Sequence, residues 1–159
     1  MAEPSHPAEQ QVMDAGDVER ALSRIAHEIV EANRGTAGLC LVGIRRGGVP
    51  LAQRLAREIA ATGAAKVPTG VLDIGLYRDD AARMHPLVGP TDIPFSVQDQ
   101  AVVLVDDVLY TGRTVRAALD ELMDFGRPRR VYLAVLADRG GRELPICADF
   151  TGRRLECPP

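Results

Sequence analysis

The sequence contains no tryptophan, and aromatic residues make up only 4% of it. A packed core must therefore come from Leu, Val, Ile and Ala, within an apolar share of 46%. Lysine is almost missing too, since Lys66 is the only one. Basic charge is carried by arginine, a bias that genomic base composition explains most simply. Arginine also suits phosphate, because its planar fork bonds two oxygens at once. The cysteines are Cys40, Cys147 and Cys157, far apart and in no metal-ligand spacing. That excludes a cysteine-built zinc site and fits a reducing compartment. No run approaches the ~20 apolar residues of a membrane span. The polar, proline-containing stretch Met1–Gln11 has no apolar signal core. The expectation is a soluble, cytoplasmic protein with no membrane partner. A net charge of -3 and a pI of about 5.6 make no global electrostatic case for nucleic acid. A local basic face is still compatible with them.

The length of 159 residues fits one domain. Residues 1–16 are expected to be a mobile tail and 17–159 the domain. Asp17 is the expected cap of a helix from Val18, whose stripe is Val18, Ala21, Leu22, Ile25, Ala26, Ile29 and Val30. Gly35 is its stop. The run Leu39–Ile44 reads as a buried parallel strand. Arg45-Arg46-Gly47-Gly48 follows as a loop, and Pro50 opens a second helix that Gly63 closes. Val67–Leu76 reads as a second strand. The charged, proline-rich stretch from Tyr77 to Gln100 is long enough to be functional or mobile. Ala101–Val105 is the clearest buried strand, and Thr114–Phe125 is helical, with Val115, Ala118, Leu119, Leu122 and Met123 facing inward. Val131–Ala137 is another strand, and the remainder is too short and polar to assign. Alternating strands and helices predict an α/β domain with a parallel sheet. Ligands of such sheets bind at the carboxyl ends of the strands.

One segment has the chemistry for a phosphorylated sugar. Val102-Val103-Leu104-Val105-Asp106-Asp107-Val108-Leu109-Tyr110-Thr111-Gly112-Arg113-Thr114 is an apolar strand, two acids, a small glycine loop and a helix start. Neighbouring carboxylates accept hydrogen bonds from sugar hydroxyls, directly or through a divalent metal. Amides at a helix N-terminus bind phosphate, Gly112 allows close approach, and Thr111 and Thr114 add hydroxyls. A helix cap would explain one acid, but not two acids followed by a hydroxyl-rich turn. The segment is neither a Walker loop, lacking GK[ST], nor a Rossmann fingerprint.

This segment resembles the signature of type I phosphoribosyltransferases, which bind 5-phosphoribosyl-1-pyrophosphate (PRPP). More narrowly, the chain resembles the PyrR family of pyrimidine operon attenuation regulators that are also uracil phosphoribosyltransferases. Further matching segments are Ala21–Glu28, Leu41–Ile44, Leu76–Asp80 and Asp138–Ile146. The resemblance implies a central parallel sheet flanked by helices, with a small hood expected to be truncated here. It implies conversion of uracil and PRPP to UMP and diphosphate, with Mg²⁺. Asp106 and Asp107 would hold the ribose hydroxyls and, through the ligand, the metal. Asp107 would support the cationic ribose carbon. Tyr110–Thr114 would hold the 5′-phosphate, Arg45, Arg46 and Gly47 the diphosphate, and Asp138 and Arg139 the base. Arg78 would reach the diphosphate as a third catalytic group. Ser23, His27, Arg142 and Arg153 match positions implicated in binding pyrimidine operon mRNA, which UMP or UTP would promote. Cys147 departs from that pattern, since RNA-binding members carry Arg there. A homo-oligomer, dimer or higher, is expected. The alternatives are an RNA-binding sensor with little catalysis, or a phosphoribosyltransferase for another base.

Overall fold

The computed structural model describes residues 11–75 and 91–156. Helix α1 spans Ala15–Asn33, β1 Leu39–Ile44, α2 Gly48–Ala61, β2 Thr69–Leu72 and β3 Ala101–Leu109. Then come α3, Arg113–Leu122, a 3₁₀ turn at Met123–Phe125, β4, Arg130–Asp138, and β5, Phe150–Arg154. All five strands are parallel, in the order β2-β1-β3-β4-β5.

Side chains along a strand point alternately to opposite faces. Leu39, Leu41, Val103 and Val105 enter one core with α1 and α2, while Cys40, Val42, Val102 and Leu104 enter the other with α3. Both faces are covered, which is why β1 and β3 read as unbroken apolar runs. Each fully buried Val or Leu contributes roughly 1.5–3 kcal/mol. From β1 the chain crosses through α2 to one side, and from β3 through α3 to the other. The order therefore reverses between β1 and β3, and a crevice opens at their carboxyl ends.

Several boundaries differ from the expectations. The cap of α1 is Asp14, not Asp17. Asp17 is the third helical residue and completes a capping box: its amide donates to Asp14 Oδ1 at 2.7 Å, and its Oδ2 accepts from the Asp14 amide at 3.1 Å. The α2 helix starts two residues before Pro50, and β2 is confined to the four residues that pair with Leu41–Ile44. Met123 is 49% exposed, because the chain tightens to 3₁₀ there and leaves the α-helical phase of α3. The β5 strand had no expectation. It lies on β4, with the Phe150 ring against Tyr132 at 5.6 Å between centroids.

Near the β2 edge, an antiparallel bridge joins Val71 to Asp92. Beside it the Thr91 hydroxyl accepts from the Asp73 amide at 2.9 Å and donates to Glu121 Oε1 at 2.6 Å. Glu121 is buried, and its Oε2 has no hydrogen-bond partner among the described residues. Burial, with help from Asp73 and Asp124, raises its carboxyl above the ordinary value against the opposing Thr91 bond. The native state thus holds this proton more tightly than the unfolded chain. The associated stability is present at acid pH and is lost as pH rises above about 4.5 through the raised value. Glu121→Gln should therefore lose less stability than wild type between about pH 5 and about pH 7. Urea melts across that range check this, and parallel slopes for the two proteins would refute it.

Candidate functional site

The crevice arises because β3 has partners of unequal length. Pairing with β1 stops at Gly43↔Val105, whereas pairing with β4 continues to Leu109↔Asp138. Beyond Val105 the side of β3 toward β1 is open, and the loop after β1 folds into it. Its approach is close enough that only glycine fits. A Cβ on Gly48 would lie 1.9 Å from the Val105 carbonyl oxygen, and one on Gly43 would lie 2.7 Å from the Gly48 carbonyl oxygen. A Cβ on Gly47 would lie 2.3 Å from Asp107 Oδ2. The expected diphosphate loop is thus seated directly on the expected ribose acid. Gly43 and Gly48 were not singled out in the sequence, although a glycine closing a strand and a Gly-Gly pair after it carry the signal. Arg45 is half-buried, Arg46 is exposed, and the peptide between them is cis. The Arg45 amide donates to Leu72 O at 2.9 Å, which ties the loop to β2.

Asp106 and Asp107 lie within β3 rather than after it, since the strand runs on to Leu109. They are not equivalent. Asp106 is buried at 7% exposure, and its Oδ1 accepts from the Asp107 amide at 2.8 Å. Asp107 is exposed, and its Oδ1 accepts from the Val108 amide at 2.8 Å. Val102–Val105 are buried in the two cores and hold the segment without offering a side chain to a ligand. Val108 is exposed and Leu109 buried.

The turn that follows ends on Gly112, in the left-handed region at φ 94°, and α3 starts at Arg113. First-turn amides of a helix have no intrahelical acceptor. The Arg113 amide is satisfied by Thr111 Oγ1 at 3.2 Å, while those of Gly112 and Thr114 donate to nothing among the described residues. Among the described residues no side-chain hydrogen bond caps α2, and the Asp107 carboxylate lies against its N-terminus at Gly47. From Asp107, β3 leads on to Leu109 and through a three-residue turn into α3.

Residues 138–146 are fastened to this turn. The amides of Glu143 and Leu144 both donate to Thr111 O, at 2.9 and 3.1 Å. The Arg139 amide donates to Leu109 O at 3.0 Å, and its guanidinium lies 4.0 Å from the centre of the Tyr110 ring. Gly141 has φ 74°, and a Cβ there would lie 2.5 Å from that ring. Arg113 pairs with Glu143 at 2.9 Å. The Asp138 carboxylate accepts from the Gly140 amide at 2.9 Å and from Arg142 at 2.6 Å. These two bonds, Arg142 first, hold it below the usual carboxylate range.

The four residues expected to meet RNA come from α1, from β5 and from the segment after β4. Ser23 and His27 lie a turn apart on α1, where His27 Nδ1 is 2.8 Å from Ser23 O. Arg153 of β5 bonds Val12 O and lines a groove of about 290 Å³ with Arg20 and Arg24 of α1. Arg142 follows the carboxyl end of β4, the end at which Arg153 pairs with Ala137, and is half-buried and bonded within the protein. Arg78 lies outside the described residues, as do Asp79 and Asp80. Among the described residues no group of three His, Cys, Asp or Glu side chains could hold a metal. The acid pair suits a Mg²⁺ that arrives with its ligand, since Mg²⁺ uses one or two carboxylates plus substrate phosphates. No described helix is long and apolar enough to cross a membrane.

The Phosphoribosyl transferase domain family matches residues 9–154. The chain is similar to the bifunctional protein PyrR of Thermus aquaticus, at 63% identity over 147 residues, covering 91% of this chain and 81% of that one. The bifunctional protein PyrR of Roseiflexus sp. (strain RS-1) is 59% identical over 149 residues, covering 92% and 81%. Among solved structures, a hypoxanthine phosphoribosyltransferase from Staphylococcus aureus shares the fold at a TM-score of 0.72 and 17% identity, over 92% of this chain and 78% of that one. A purine phosphoribosyltransferase from Pyrococcus horikoshii matches at a TM-score of 0.67 and 25% identity, over 91% and 86%. The chain belongs to the phosphoribosyl transferase family and, within it, to the PyrR group.

Proposed function

We propose that the chain is a uracil phosphoribosyltransferase, forming UMP and diphosphate from uracil and PRPP, and also a uridine-nucleotide-dependent regulator that binds pyrimidine operon mRNA in the cytoplasm. The observation that carries the enzymatic half is the crevice at the end of β3. Asp107 lies against Gly47 at the start of α2, in the loop that carries Arg45 and Arg46, and β3 leads from it into the Gly112 turn that opens α3. PRPP is a ribose with a phosphate on one end and a diphosphate on the other, and this arrangement meets each part with the matching chemistry.

The reaction follows from the same geometry. The α3 amides and the threonine hydroxyls take the 5′-phosphate and fix the ribose. The Arg45–Gly48 loop takes the diphosphate, and Mg²⁺, when bound, neutralises part of its charge. The bond from the ribose carbon to the diphosphate oxygen breaks, and the electron pair leaves with diphosphate. The carbon becomes cationic and Asp107 stabilises that charge. The uracil nitrogen bonds to the carbon, and its proton passes to the departing diphosphate or to water. Arg78 fits the diphosphate as a further contact. The protein works as a homo-oligomer, with its domain starting near residue 17.

Asp107→Asn should lower kcat roughly 100-fold, with the fold intact by circular dichroism. Retention of full activity would remove Asp107 from the mechanism. Gly47→Ala drives a methyl into the Asp107 carboxylate, so kcat/KM for PRPP should fall by more than about tenfold. Binding of UMP, which lacks diphosphate, should change less. Equal losses for the two ligands would place the damage elsewhere.

The base is not identified by the phosphate turn, which does not touch it. Each oxygen of Asp138 accepts one bond within the protein and keeps a further lone pair, so Asp138, with Arg139, is the group we assign to the base. Purified protein offered uracil, hypoxanthine and adenine together should form UMP. Exclusive formation of a purine nucleotide would assign it to another base. The regulatory half is supported by Ser23 and His27 on α1, with Arg20, Arg24 and Arg153 beside them. Binding to a hairpin RNA should be strengthened by UMP or UTP and weakened by salt. His27→Ala should weaken it by on the order of tenfold without changing UMP formation. Indifference to uridine nucleotides would leave an enzyme alone.

A further inference from the structure

Arg142 bonds several segments beside the crevice. Its Nε donates to Ile146 O at 2.9 Å, one terminal nitrogen to Tyr110 O at 2.5 Å, and the other to Asp138 Oδ2 at 2.6 Å. These partners belong to three places: the 5′-phosphate turn, the end of β4, and the far end of the segment that borders the base. Guanidinium presents a rigid planar fork. Three bonds in one plane therefore fix the three segments relative to one another, where a lysine could satisfy only part of the set.

We propose that Arg142 is a positioning residue, which shapes the base-side segment 138–146 and locks it to the 5′-phosphate turn by bridging Tyr110 O, Ile146 O and Asp138. This rests on the reading of the crevice as a phosphoribosyltransferase site, but the clamp itself is a matter of bonds in the free protein. It assigns Arg142 a role besides contacting RNA, because each of its three nitrogens already donates within the protein. The neighbouring contacts act in the same direction. Glu143 and Leu144 donate to Thr111 O, Arg113 pairs with Glu143, and a Cβ on Gly112 would lie 3.4 Å from the Cβ atoms of Leu144 and Ile146. The charged groups facing Asp138 are Arg142 and, from β5, Arg154. With the Gly140 amide they keep the carboxylate ionised, and Arg142 contributes most.

The test compares wild type, Arg142→Gln and Arg142→Lys as full chains. Three quantities are read: KM and kcat for uracil and PRPP, the acid limb of kcat/KM for uracil, and amide exchange at Glu143 and Leu144. Arg142→Gln should raise the uracil KM about tenfold or more, with a smaller change in kcat. The acid limb should move to higher pH as Asp138 loses its main ionising partner, and both amides should exchange faster. Arg142→Lys keeps the charge but not the fork. It should restore the acid limb while leaving the uracil KM raised and the exchange fast. A purely packing role would lower the melting temperature and leave the kinetics alone, which overturns the proposal. So would loss of RNA binding with unchanged uracil kinetics and exchange. If Arg142→Gln does not fold, a folded Arg142→Lys with wild-type KM and exchange still overturns it. If wild type forms no UMP, the functional reading fails, while exchange at Glu143 and Leu144 continues to test the clamp.

Discussion

The site depends on where one strand loses one of its two neighbours. β3 is paired on both sides up to Val105 and on one side only from there to Leu109. Strand hydrogen bonds hold the backbone rigid on the β4 side, while the β1 side becomes a wall that another segment can approach. The segment that approaches is the loop after β1. It sits so close that Gly43, Gly47 and Gly48 have no room for a side chain. A backbone packed on backbone brings the start of α2 beside Asp107, and β3 then leads through the turn at Gly112 into α3.

This geometry explains how a chain with net charge -3 can offer an anion site. The attraction is not carried by a basic surface. It comes from oriented amides at two helix starts and from Arg45 and Arg46, over distances where local dipoles outweigh net charge. Carboxylates stand among these donors without cancelling them, because they address different atoms. Phosphate oxygens need donors and ribose hydroxyls need acceptors. Burial of Asp106 next to an exposed Asp107 separates their roles further: one braces the backbone through the Asp107 amide, and the other faces the crevice.

The amphipathic stripe of α1 and the apolar runs of β1 and β3 were legible because burial on both faces leaves a periodic or continuous apolar record in the sequence. The crevice was legible because the acids, the glycine and the hydroxyls are contiguous from Asp106 to Thr114. Cap positions were not, since Asp14 and Asp17 are both competent caps and only the geometry of the first turn shows how they share the work. β5 was hidden for another reason. Its residues Phe150–Arg154 include only one that is buried, so a strand at the sheet edge has too few apolar positions to show a period. The steric role of Gly47 was equally invisible, because Asp107 is distant in sequence and the contact exists only once β1 and β3 are paired. The role of Arg142 is of this kind as well: its three acceptors come from Tyr110, Asp138 and Ile146, and two of them are backbone carbonyls, which leave no mark on residue identity.

These contacts also separate two tasks that the sequence places close together. The turn Tyr110–Thr114 must fit a phosphate, a demand that is the same for every nucleobase. The segment 138–146 must distinguish bases, and its shape is set by bonds to that turn rather than by a core of its own. A base-reading segment hung on the phosphate turn acquires its shape relative to the sugar, because the turn is what holds the sugar. Its exposed glycines, Gly140 and Gly141 at φ 71° and 74°, leave the backbone free to curve around the Tyr110 ring. The stack of Arg139 on that ring and the pairing of Arg113 with Glu143 then resist separation of the two segments. Exposed ion pairs are individually weak, commonly below about 1 kcal/mol. The fastening must therefore rest mainly on the half-buried, charge-assisted Arg142 bridge and the paired amides at Thr111 O.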